Sequence, residues 1–133
     1  MGYTLRYKHG VGANEQTEYN PSPEIIDSVI NELLPGRDYY IVLSSDERVK
    51  NCDCVQTVIK WDDKPVVEYM IEVHFIKDGD FIYYRKYYSD AGAVKKMFRM
   101  FALGVIPAVD GWDDVTEEIK EIVRQKKCEK KNG

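Results

Sequence analysis

The dipeptide Asp78-Gly79 lies between two runs, 66–76 and 81–88, in which many residues are aromatic or β-branched. A two-residue loop of this kind is typical of a type I′ β-hairpin, because both loop positions need a positive φ, which Gly and Asp tolerate well. A chain that contains this hairpin has to build at least part of its core around an antiparallel sheet.

The hairpin loop also fixes which residues face one another across the two strands. Counting back from the loop predicts Glu72 opposite Arg85 and His74 opposite Tyr83, all on one face of the sheet. The other face carries an uninterrupted apolar set and is expected to pack on helices. We therefore expect the face of Glu72, His74, Tyr83 and Arg85 to be the more exposed one. The apolar set is Val67, Tyr69, Ile71, Val73 and Phe75.

The remaining elements follow from apolar spacing and from capping residues. Ser22 and Pro23 start a helix that Pro35-Gly36 ends, and Gly104 ends a second helix. A third helix is predicted to start near Asp114, with Glu117 three residues on. Strands are predicted at 3–8, 39–43, 55–61, 66–76 and 81–88, helices at 22–34, 90–103 and 114–123, and loops at 9–20 and 46–53.

This order predicts an α+β fold, an antiparallel β-sheet meander with helices packed on one face. The length of 133 residues fits one domain, which we place at residues 1–123. Residues 124–133 are predicted to be a basic C-terminal tail or the solvated end of the last helix. No run approaches the roughly 20 apolar residues of a membrane span, and no secretion signal is recognised, so we expect a cytoplasmic protein without a membrane partner.

The charge is distributed unevenly along the chain. Residues 1–123 contain 14 Lys and Arg against 22 Asp and Glu, whereas residues 124–133 contain five against one. An acidic domain repels phosphate backbones, so direct nucleic-acid binding is not expected.

The sequence contains few residues that would indicate a catalytic site or a metal site. The three cysteines have no metal-site spacing, and His9 and His74 are the only histidines, so we expect no metal and no cofactor. No glycine-rich phosphate loop is present. Glu72, His74, Tyr83 and Arg85 are an acid/base set by type, but such residues are also common cross-strand pairs, and we do not expect an enzyme.

The segment from Met100 to Ile119 contains five acidic residues and no Lys or Arg, with Trp112 in its middle. These acids either complement the dipole of the last helix, with Trp112 covering the core, or form an interaction surface for a basic protein. We predict partner-binding residues here and on the sheet face with Tyr83 and Arg85. The predicted acidic residues are Asp110, Asp113, Asp114, Glu117 and Glu118.

The end of the second helix and the segment after it resemble a known family. Phe101, Gly104, Pro107 and Trp112 match the closing pattern of the first-numbered immunity-protein family of bacterial polymorphic and contact-dependent toxin systems. The resemblance implies a small cytoplasmic protein that binds and neutralises a cognate toxin domain, often a nuclease or a deaminase, without chemistry of its own.

Three functions therefore remain open from the sequence. The first is an immunity-type inhibitor that covers the active site of a nucleic-acid-directed toxin. The second is a ligand-binding or enzymatic α+β domain that uses the Glu72, His74, Tyr83 and Arg85 face. The third is a homo-oligomeric structural module that pairs through an open sheet edge or through the tyrosine-rich face.

Overall fold

The computed structural model describes residues 2–10, 14–36, 38–49, 51–60 and 67–132. Side chains are described for these residues except 47–49 and 126–132. The predicted strand limits Trp61 and Val66 lie outside the described residues.

The described residues form one antiparallel sheet of seven strands, in the order β2-β1-β3-β4-β5-β6-β7, together with three helices. This confirms the predicted α+β class with an antiparallel sheet. The elements, in chain order, are β1 (Tyr3–Lys8), β2 (Gln16–Tyr19), α1 (Pro23–Glu32), β3 (Tyr40–Val49), β4 (Cys52–Ile59), β5 (Tyr69–Lys77), β6 (Asp80–Tyr88), α2 (Ala91–Ala102), β7 (Asp113–Asp114) and α3 (Thr116–Asn132).

The β5–β6 hairpin has the predicted register. Asp78 and Gly79 both have positive φ, 53° and 78°, as a type I′ loop requires. Glu72 lies opposite Arg85, and His74 lies opposite Tyr83. The hairpin is therefore determined by local sequence.

Two predicted loops contain strand residues instead. The loop predicted for 9–20 includes β2, a polar edge strand that pairs only with β1. The loop predicted for 46–53 is occupied by the end of β3 and the start of β4, with a positive φ at Asn51 and a register shift between Ser44 and Val49. A strand is predicted from alternating apolar residues, and neither stretch has this pattern. The reason is that β2 is largely exposed and that β3 has an irregular register at its end.

Two helix ends follow the predicted capping residues, the start of α1 and the end of α2, whereas α1 ends at Glu32, two residues before the predicted limit. The Oγ of Ser22 accepts a hydrogen bond from the N–H of Ile25 at 3.2 Å, and Pro23 is the first helical residue of α1. At the end of α2, Gly104 has a φ of 87°, its N–H donates to the carbonyl of Phe101, and the N–H of Val105 donates to that of Met100. These two bonds form a Schellman motif, which favours glycine at this position.

The core lies between one face of the sheet and the helices α1 and α2. Leu5, Leu43, Val55 and Val73 are successive partners across four strands and are fully buried. They pack in one cluster with buried residues of both helices. The helix residues are Ile26, Val29, Ile30, Val94, Phe98 and Phe101.

Helix α3 packs differently from the other two. It contacts β6, and Ile119 and Val123 line a recess with Phe81 and Tyr83, which belong to the sheet face opposite α1 and α2. Its backbone stays helical to Asn132, so residues 124–132 form the end of the last helix, which is one of the two alternatives that the sequence predicts for this stretch. Within the described residues, no helix has both the length and the apolar character needed to cross a membrane.

Candidate partner-binding surface

Arg85 is the central residue of the candidate surface. It lies on β6 directly opposite Glu72 of β5, and it donates to Glu72 Oε2 from Nε at 2.8 Å and from Nη2 at 2.6 Å. Both side chains are largely buried. Charge-assisted bonds of this length are among the stronger polar contacts in proteins, so the pair is a fixed part of the sheet.

The face that carries Glu72 is the more exposed one, as predicted, since His74, Tyr83 and Arg85 are partly exposed and Ile71 and Val73 of the other face are buried. Glu72 itself is the exception, because it is only 2% exposed. Gln56 of β4 donates to its other oxygen, Oε1, at 2.6 Å, and His74 Nε2 lies 3.8 Å from that oxygen. Burial acts to raise the pKa of Glu72, but His74, Arg85 and Gln56 together outweigh it and lower that pKa. Glu72 is therefore held as a carboxylate.

The same contacts limit what this cluster can do chemically. Arg85 and Gln56 occupy both oxygens of Glu72, and the ring of His74 packs edge-on against that of Tyr83 with centroids 4.3 Å apart. Burial raises the pKa of the neighbouring Cys54 thiol to about 12, so this thiol is not a nucleophile at neutral pH. The contacts favour a structural role for the cluster.

The predicted acidic segment and the predicted sheet face form one continuous surface. Arg85 Nη1 donates to Glu118 of α3 at 2.9 Å, and Asp113 of β7 pairs with Arg85 in the sheet. The N–H of Tyr83 donates to Thr116 Oγ1 at 3.0 Å. Short β7 thus joins the edge of the sheet to the start of α3.

We call Asp110, Asp113, Asp114, Glu117 and Glu118 the acidic edge. All five are exposed. Asp80, at the start of β6, adds a carboxylate beside them and binds Lys120 at 2.9 Å. An open cleft of about 420 Å³ runs between β6 and the start of α3, and four carboxylates line it against one lysine. These carboxylates are Asp80, Asp114, Glu117 and Glu118.

The five acidic residues differ in their internal contacts. Asp114 Oδ1 accepts from the N–H of Thr116 at 2.9 Å and from its hydroxyl, and these bonds lower the pKa of Asp114. Asp114 therefore caps α3. The first helical residue is Thr116, two residues after the predicted start. Glu118 is tied to Arg85. Asp110, Asp113 and Glu117 are the members best placed to meet a partner.

Trp112 lies in the core and not on the surface. It is 9% exposed, and its ring contacts that of Tyr88 at a centroid distance of 6.1 Å. Phe101 is also buried, and Gly104 ends α2. Three of the four positions on which the predicted resemblance was based thus have structural roles.

Sequence reasoning missed several residues of this surface. Gln56 lies on β4, and the sequence contains no turn signal that fixes the register of β4 with β5. Asp80 and Lys120 meet only because α3 docks on β6. Within the part of the chain that the structure describes, no group of three or more His, Cys, Asp or Glu side chains is placed to hold a metal ion.

Comparison with known proteins identified no relative of this chain. No protein-family model matches the chain, and no match was found among curated proteins or among solved structures. The functional argument therefore depends on the residues of this chain alone.

Proposed function

We propose that this chain is an immunity-type protein, which binds a cognate bacterial toxin domain and neutralises it by covering the toxin's active site. The toxin would be directed at nucleic acid, and binding would take place in the cytoplasm. The chain would act without a cofactor and without catalysing a reaction.

The observation that carries the proposal is the acidic edge and its continuity with Tyr83 and Arg85. An enzyme that acts on nucleic acid presents a basic substrate cleft. Exposed carboxylates on a rigid sheet edge complement such a cleft and accelerate encounter by electrostatic steering. The choice of a toxin domain as the partner comes from the resemblance at Phe101, Gly104, Pro107 and Trp112.

Rigidity is a second supporting feature. Arg85 holds the start of α3 to the sheet through Glu118, and Tyr83 holds it through Thr116. A surface that is already fixed before binding loses little conformational entropy when a partner docks. Inhibitors that block an active site benefit from this property.

The ligand-binding or enzymatic alternative has less support. It requires Glu72 and His74 to face a substrate, yet Glu72 is buried and engaged by Gln56 and Arg85. The homo-oligomeric alternative is supported by the open edges at β2 and β7 and by exposed side chains such as Tyr19 of β2, which is 76% exposed. It does not account for the acidic edge.

The test uses the protein encoded immediately upstream of this chain's coding sequence. Its C-terminal domain is expressed in bacteria with and without this chain, and growth is followed together with direct binding by calorimetry. We expect growth arrest that this chain relieves and a one-to-one complex. Growth arrest that persists although this chain is folded and abundant would contradict the proposal, as would the absence of a complex.

A further inference from the structure

We infer that the half-exposed apolar strip of Phe81, Ile122 and Val123 is the anchor contact for a basic protein partner. This inference rests on the proposed function and adds the partner's chemistry. The matching segment would present an aliphatic or aromatic side chain flanked by lysine or arginine.

The strip is exposed although its helix is docked. Phe81 at the start of β6 is 46% exposed, and Ile122 and Val123 of α3 are 43% and 46% exposed. A helix that served only to cover the sheet would turn its apolar stripe inward. Here the stripe instead borders an open recess of about 300 Å³, lined by Phe81, Tyr83, Ile119, Lys120, Val123 and Arg124.

The aromatic part of the strip is held in place before any partner binds. The rings of Phe81 and Tyr83 stack with centroids 6.1 Å apart, and Tyr83 packs on His74. The carbonyl of Tyr83 also accepts from the N–H of Val115 at 2.9 Å. Rigid aromatic side chains surrounded by polar residues are typical of the positions that dominate binding energy in protein interfaces.

Charge indicates which partner fits the strip. Phe81 also lines the open cleft at the start of α3, where four carboxylates and one lysine, Lys120, meet. The recess on the other side of Phe81 is lined by two cations, and both are already engaged, Lys120 with Asp80 at 2.9 Å and Arg124 with Glu121 at 3.0 Å. The end of the strip at Phe81 therefore carries a surplus of negative charge, which attracts a basic partner and repels an acidic one. The carboxylates of the cleft are Asp80, Asp114, Glu117 and Glu118.

A second apolar patch provides a contrast. Leu103, at the end of α2, is 77% exposed, and Lys96 and Arg99 line the groove beside it. Unlike Phe81, Leu103 does not line the cleft of four carboxylates. A basic segment therefore finds less complementary charge at Leu103 than at Phe81. Leu103 is thus a matched control position, equally apolar and even more exposed.

The first experiment uses two synthetic amphipathic peptides with the same leucine positions, one with lysine and one with glutamate at the polar positions. Each is titrated into the full-length ¹⁵N-labelled chain and followed by amide chemical shifts. We expect the lysine peptide to shift the amides of Phe81, Tyr83 and Val123, and the glutamate peptide to leave them unchanged. Shifts confined to other residues, or none with the lysine peptide, would overturn the inference.

Three substitutions then separate the strip from general charge attraction. Phe81→Ser and Val123→Ser are each checked for an unchanged fold by circular dichroism. Each should lower the affinity for the lysine peptide by about tenfold, the effect of removing a typical anchor side chain. Leu103→Ser should change affinity by less than about twofold. Val123 is half-exposed on a helix, so its variant remains informative if Phe81→Ser folds poorly. Equal affinity of Val123→Ser and wild type for the lysine peptide would overturn the inference that the strip is the anchor contact.

The same variants are then measured against the upstream-encoded toxin domain. If wild type and Val123→Ser bind that domain equally tightly, the strip is not the anchor contact, and the proposed function is unaffected. Failure of wild type to bind the domain, with the lysine peptide still located at the strip, would instead overturn the proposed function alone.

Discussion

Arg85 donates two hydrogen bonds to a single oxygen of Glu72, across two strands that a two-residue loop holds in register. Its third nitrogen, Nη1, reaches Glu118 at the start of α3. One guanidinium therefore connects the interior of the sheet to the acidic edge. The stability of this connection and its sensitivity to pH are the first properties to test.

Arg85→Ala should destabilise the fold strongly, because it leaves the buried carboxylate of Glu72 without its cationic partner. Removing one partner of a buried ion pair costs about 3 kcal/mol or more. Urea unfolding measures the cost. The matched control is Arg99→Ala, which removes a comparable two-bond contact to Asp27 between side chains that are about one-third exposed. That variant should lose less than about 1 kcal/mol, and equal losses would contradict the assigned burial of Glu72.

The acid limb of the stability profile should depend on Glu72. Its pKa is lowered in the folded state, so the folded carboxyl binds fewer protons than the unfolded one. Its contribution is fully present above the unfolded pKa, about 4.3, and is lost as the pH falls through the lower folded pKa. Glu72→Gln should therefore be less stable than wild type at neutral pH, and its free energy of unfolding should change less with pH below about pH 5.

Urea unfolding at several pH values between neutral and about pH 3 checks this prediction. Glu117→Gln is the control, because this carboxylate is exposed and lies at 3.9 Å from its nearest cation, Arg124. Its profile should follow that of wild type. A Glu72→Gln profile parallel to wild type would show that another carboxylate dominates acid unfolding.

Local sequence was sufficient for much of the fold. Ser22, Gly104 and the Asp78-Gly79 loop each specify a helix end or a turn through their own backbone preferences, and the structure confirms all three. Strand β2 could not be predicted, since its residues are polar and no two-residue turn signal in the sequence fixes its register with β1. Pairing of this kind depends on tertiary contacts and not on local pattern.

The candidate surface was only partly predictable for the same reason. The acidic segment and the Tyr83 and Arg85 face were each visible in the sequence, but their junction depends on β7, a two-residue strand without any sequence signal. The burial of Glu72 depends on neighbours from β4 and β6. Side-chain alternation identifies the face of a residue, not what covers that face.

Trp112 should affect stability and not partner binding. Trp112→Ala removes a buried ring from its contact with Tyr88 and should cost about 3 kcal/mol or more. Trp112→Phe keeps an aromatic ring in the core and should bind the upstream-encoded domain with wild-type kinetics. Thermal unfolding and surface-immobilised kinetics measure the two effects. A faster dissociation of folded Trp112→Phe would make this residue a binding anchor instead.

Reversal of charge on the acidic edge should act mainly on association. Asp110, Asp113 and Glu117 can be changed to Lys together, because Asp114 caps α3 and Glu118 holds Arg85, so both stay intact. Exposed charges act through long-range steering, which salt screens beyond about 8 Å at physiological ionic strength. The triple variant should therefore associate at least about tenfold more slowly with the upstream-encoded domain, with a smaller change in dissociation.

The control for this variant carries the same change in net charge at three exposed acids elsewhere, Glu24, Glu32 and Asp38, on α1 and shortly after it. A general effect of net charge would slow both variants equally, whereas steering by the acidic edge slows the first much more. The difference between them should shrink as salt is added, because screening removes the long-range term first. Wild-type association of the folded acidic-edge variant at low salt would exclude this surface and would leave the sheet face of Tyr83 and Arg85 as the candidate.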